Sequence, residues 1–123
     1  MGLKSILGII FFAPAFAFAQ AAPLTVSFVD AAWDGIKVPD GQHCAKHGGH
    51  GVSPGLKISN IPAEANRIIV SFSNGAYKKL DSGGHGIIGM QIPAGTTTAQ
   101  FPSIAENIVE MPKDVYIVSA QKG

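Results

Sequence analysis

Four histidines and one cysteine carry most of the chemistry available to this chain, and His43, Cys44, His47 and His50 crowd into one segment. Imidazole and thiolate groups are ligands for zinc and copper, so this segment is a candidate metal site. Its spacing, His-Cys-x2-His-x2-His, matches no standard zinc motif. A helix would put the three histidines on one face, but Gly48, Gly49, Gly51 and Pro54 oppose one. Each glycine costs about 1 kcal/mol relative to alanine. The competing reading is a polar loop that packs Cys44 inward. The fourth histidine, His85, lies in the second of two Gly-Gly-His-Gly tetrapeptides, at 48–51 and 83–86. Glycine permits positive φ and close backbone approach, and successive N–H groups can form an anion-binding nest. Histidine changes charge near neutral pH. His85 with the N–H groups of Gly83, Gly84 and Gly86 therefore reads as a seat for a phosphate or carboxylate. The alternative is a partly exposed histidine in a glycine loop.

Other chemistries lack their residues. Ser53 and Ser73 have no nucleophile-elbow context, and the acidic residues are isolated, so neither covalent nor acid–base catalysis is indicated. The expectation is a protein that is not an enzyme and needs no cofactor. Formal net charge is +1, and only Lys78 and Lys79 are adjacent cations. Nucleic-acid binding draws on clustered cations, so no nucleic-acid partner is expected. Lys78-Lys79 beside Tyr77 reads as a solvated turn, and Trp33 as a packing residue of the core or rim. Cys44, as the only cysteine, cannot form a disulfide within the chain.

The elements that position these residues begin after a leader. Lys4 precedes an apolar run from Ile6 to Phe18, followed by Ala17-Phe18-Ala19 and Ala19-Gln20-Ala21. That layout is a secretory signal peptide, with cleavage expected between Ala19 and Ala22. Taken as residues 1–21, it leaves a domain at 22–123 in the periplasm or outside the cell. The run is shorter than the roughly 20 residues a membrane span needs, so no transmembrane segment is expected after cleavage.

The remainder reads as β structure. Leu24–Val29, Gly55–Ser59, Arg67–Ser73, His85–Ile92 and Val115–Ser119 are apolar or alternate at period 2. Turn signals separate them, among them Asp34-Gly35, Pro39-Asp40-Gly41, Asn74-Gly75 and Pro93-Ala94-Gly95. An all-β antiparallel sandwich follows, with at most one short helix. Ser103 and Glu106 have capping-box spacing, and Ile104, Ile108 and Met111 would share that helix's face.

Three blocks resemble the phosphatidylethanolamine-binding protein family, which includes bacterial Raf-kinase-inhibitor-like proteins. They are Asp34-Gly35 with Val38-Pro39 and Cys44; Gly48-Gly49 followed by Val52-Ser53-Pro54-Gly55-Leu56 through Pro62-Ala63; and Gly84-His85 through Ile87-Ile88 to Ile92-Pro93-Ala94. The resemblance implies a β-sandwich with a small pocket for phosphate-bearing groups, and His85 matches the pocket histidine. The family's acidic motif falls at Ser73-Asn74-Gly75-Ala76, where Asn74 supplies the polar side chain, and Gly86 replaces an aromatic residue. The family's later Gly- and Pro-rich region has no counterpart here, so the resemblance implies either a domain incomplete at its C-terminus or a diverged member with half a site. Residues 22–123 are thus expected to bind a small anionic or phosphorylated ligand through His85, Asn74, Gly83 and Gly84; the alternatives are a periplasmic zinc- or copper-binding protein using His43, His47 and His50 with Cys44, and a scaffold domain whose pocket has been lost. A strand as close to the end as Val115–Ser119 also leaves an exposed edge, through which a homo-oligomer could form.

Overall fold

The structure, a computed structural model, describes residues 21–122; the signal peptide expected at residues 1–21 lies almost wholly outside them. Six strands account for the regular structure: β1 (Thr25–Phe28), β2 (Leu56–Ser59), β3 (Arg67–Ser71), β4 (Ile87–Gln91), β5 (Thr98–Phe101) and β6 (Val115–Ser119). They form two antiparallel three-stranded sheets, ordered β1-β2-β5 and β3-β4-β6. The fold is all-β, as its alternating segments predict. Among the described residues, helical structure is confined to two single 3-10 turns, Ala45–His47 and Lys78–Leu80. No described helix is long and apolar enough to cross a membrane.

Register divides the first sheet into two unlike faces. Val26, Ile58 and Ala99 lie in one row and Phe28, Leu56 and Phe101 in the next. The opposite face carries Thr25, Ser27, Lys57, Ser59, Thr98 and Gln100. In the second sheet Ile68, Met90 and Val115 share a row, as do Val70, Ile88 and Ile117. Ile58 and Phe101 from the first sheet and Met90 and Val115 from the second are buried in one cluster, joined by Ile61, Ile92 and Ile104. A core fed by both sheets makes the pair a sandwich. Phe101 is the best-buried large side chain, with no exposed surface.

Two sequence expectations change. The strand β5 escapes the reading because Thr-Ala-Gln-Phe offers little β-branched or apolar signal; its place comes from pairing with β2. The helix expected from Ser103 to Met111 does not form. Ser103 Oγ instead donates to the Ser53 carbonyl, and Ile104 N–H donates to Ser53 Oγ at 2.9 Å. The Glu106 carboxylate accepts from Ala45 N–H at 2.9 Å. Both would-be capping residues are thus spent on a neighbouring loop, and Val52 bridges Ala105 beside them. Two turns of helix cannot outlast that competition.

Candidate functional site

An open cleft of about 1050 Å³ lies where the inner faces of the sheets meet their connecting loops. One wall is apolar and comes from the end of β1 and the following loop: Phe28, Trp33, Ile36 and Val38. The Phe28 and Trp33 rings stand 6.0 Å apart at 32°. Ile36 is 91% exposed and is held out by a local turn. There Asp34 Oδ1 accepts from Ile36 N–H at 2.8 Å and from Lys37 N–H at 3.0 Å. Those bonds, Lys37 first and then Ile36, lower the Asp34 pKa below the ordinary 3.8. Further apolar lining comes from Ile104, Ile108 and Met111, and from Ile88 and Ile117 of the second sheet.

Polar groups enter from two segments. Asn74 and His85 line the cleft together with Ser71 and Ser73. His85 is half-buried at the start of β4, its backbone N–H donating to the Phe72 carbonyl at 2.9 Å. Asn74 Oδ1 accepts from Ala76 N–H at 3.0 Å, which leaves its amide NH2 as donor. His43, Cys44 and His47 line the same cleft. The structure therefore brings both histidine segments to one space, which their separation in sequence does not disclose.

Gly83, Gly84 and His50 are not part of the lining. The anion nest expected at 83–86 is engaged internally. Gly83 N–H donates to Ser73 Oγ at 2.8 Å, Gly84 N–H to the Asp81 carbonyl at 3.1 Å, and Gly86 N–H to the Gly83 carbonyl at 2.9 Å. These glycines answer to packing: a Cβ at Gly84 would sit 2.2 Å from Leu80 Cα. Nor do His43, Cys44, His47 and His50 converge, because only Ala45–His47 forms a turn and Gly48 leaves it with φ of 82°. Among the described residues no three His, Cys, Asp or Glu side chains are grouped so as to hold a metal ion. Cys44 is exposed, not packed inward.

Sequence reasoning missed Glu106 and Gln42. Glu106 lines the cleft while its carboxylate fastens the Ala45 turn. Gly51 must be glycine for that clasp, since its φ is 58° and a Cβ would collide with the Glu106 side chain. Gln42 also lines the cleft, and its Oε1 is buried without a partner among the described residues. Gln42 carries no local signal, and the one Glu106 carries, capping-box spacing with Ser103, points to a helix and not to the Ala45 turn it holds.

No family model, curated protein or solved structure matches the chain.

Proposed function

We propose that this chain is a non-catalytic binding protein for a small anionic or phosphorylated ligand that also carries an apolar portion. The observation that carries the reading is the composition of the cleft. His85 and Asn74 line it, and Phe28, Trp33, Ile36, Ile88 and Ile117 supply apolar lining. An imidazolium and an amide NH2 are donors suited to phosphate or carboxylate oxygens. Apolar lining with a few placed polar groups is the usual make-up of a small-molecule site. The resemblance to phosphatidylethanolamine-binding proteins supports the same reading, because each of its three blocks contributes lining residues: Val38 and Cys44, Ser53 and Pro54, and His85. Export to the periplasm or beyond is part of the proposal.

Titration with inorganic phosphate, hexyl phosphate and hexyl glucoside, followed by NMR of the imidazoles, tests it. Inorganic phosphate should bind at about millimolar, near −4 kcal/mol. Each buried CH2 adds up to about 0.8 kcal/mol, so hexyl phosphate should bind at least about tenfold tighter. The neutral glucoside should bind more weakly than hexyl phosphate. His85→Ala should remove the preference for phosphate, and His50→Ala should leave it. Hexyl phosphate that perturbs neither His85 nor the cleft residues would sink the reading.

A further inference from the structure

Asn74 is followed by Gly75, and both are exposed in the segment between β3 and the Lys78–Leu80 turn. Asparagine is a thermolabile residue, because the next backbone nitrogen can attack its side-chain carbonyl carbon. The ring that closes has five members, so proximity favours it. A glycine in the next position carries no Cβ to hinder the attack. The fold leaves these atoms free to react. Among the described residues the Gly75 N–H donates to no backbone carbonyl. Ala76 N–H donates to Asn74 Oδ1 at 3.0 Å. That oxygen becomes an oxyanion when Cγ turns tetrahedral, and a donor already aimed at it stabilises the charge. The other described asparagines are guarded. After Asn60, Ile61 N–H donates to the Thr97 carbonyl at 2.9 Å, and after Asn107, Ile108 N–H donates to the Ala105 carbonyl at 3.2 Å. Asn66 precedes Arg67, the long side chain that begins β3.

We propose that Asn74 is a self-modification site that switches off phosphate binding as the protein ages. This rests on the anionic-ligand reading, in which Asn74 lines the cleft as a donor. The Gly75 nitrogen gives its proton to solvent base and bonds to Asn74 Cγ. The Cγ–Nδ2 bond breaks, and the amide nitrogen takes up a proton and leaves as ammonia. Solvent water then opens the succinimide at either carbonyl, giving aspartate or isoaspartate. The cleft exchanges a neutral amide donor for a carboxylate, which when ionised only accepts hydrogen bonds. The same charge repels an anionic ligand.

Incubation of the folded protein at mildly alkaline pH, followed by peptide mapping with mass spectrometry, tests the modification. Amide-to-acid conversion should appear at Asn74 before Asn60, Asn66 or Asn107, with isoaspartate among the products. It should run at least as fast as in the same chain unfolded in urea, because the turn supplies the Ala76 donor. Gly75→Ala should slow it by at least about tenfold. Gly75 is not left-handed and a Cβ there meets nothing within 4 Å, so the circular dichroism of that variant should be unchanged. Asn74→Asp, which makes the product directly, should weaken hexyl phosphate binding by at least about fivefold, and hexyl glucoside binding by less. Asn74 intact in the folded protein while the unfolded chain converts overturns the site. Hexyl phosphate bound equally by wild type and Asn74→Asp overturns the switch. A wild-type chain that binds no hexyl phosphate sinks the anionic-ligand reading and the switch with it, while the peptide map still decides the modification.

Discussion

Asp34 shows how a single side chain shapes the cleft. Its carboxylate receives the N–H groups of Lys37 and Ile36, and those bonds hold its pKa below 3.8. A depressed carboxylate pKa means that the folded state favours the ionised form. The resulting stability is complete above the ordinary value and is lost as pH falls through the lowered one. The Asp34 carboxyl should accordingly titrate below 3.8 in a carbon-detected NMR experiment. Asp34→Ala should loosen the 34–37 turn at neutral pH and alter Trp33 fluorescence without melting the sheets. A midpoint at or above 3.8 would show that the turn is not held as described. His85 and Asn74 are polar groups of another kind: the His85 backbone is tied to Phe72 and the Asn74 backbone to the 74–80 turns, and Asn74 Oδ1 is fixed by Ala76 N–H.

At the scale of elements, the loop from His43 to Pro54 is held by borrowed contacts. Ser53 Oγ accepts from Ile104 N–H, Ser53 N–H donates to the Ile104 carbonyl at 2.9 Å, and Glu106 secures the Ala45 turn. A part-buried hydrogen bond is worth about 1 kcal/mol net. Ser53→Ala should therefore cost about 1–2 kcal/mol in urea denaturation. Glu106→Ala should abolish hydrogen-exchange protection at the Ala45 amide and leave the β2–β5 amides protected. Equal loss in both places would mean that the loop and the first sheet unfold as one unit. Because His43, Cys44 and His47 ride on this loop, the same substitution should also weaken hexyl phosphate binding.

The whole molecule has a small core for its surface. Seven hydrophobic residues are buried, whereas eleven large hydrophobic residues are exposed among those described. Burial of apolar area is the main favourable term in folding, so stability should lie at the low end of the usual range of about 5–15 kcal/mol. Phe101→Ala, which empties the centre of the sandwich, should cost about 3–5 kcal/mol and abolish a cooperative thermal transition. A sharp melt retained in that variant would place the weight of the fold elsewhere. Five of the exposed apolar residues lie at two places. Phe28, Ile36 and Val38 face the cleft, where a ligand would cover them. Ile117 and Val118 lie on β6, and Ile117 also lines the cleft.

Period-2 patterning in Thr25–Phe28 and Leu56–Ser59, and short apolar runs in Arg67–Ser71 and Val115–Ser119, were enough to place those strands, because both are local properties that burial imposes on a strand. The β class followed from them, and the turns from the Gly, Pro, Asn and Asp residues between the strands. Tertiary structure decided the rest. The strand β5 owes its existence to a neighbour in space, and the capping box at Ser103 and Glu106 was redirected to a loop 50 to 61 residues earlier in the chain. The glycine loop at 83–86 turned its N–H groups inward on Ser73, Asp81 and Gly83. His43 and His85 met across one cleft. Each outcome depends on hydrogen bonds and packing between segments remote in sequence, and such contacts leave no periodic signature along the chain.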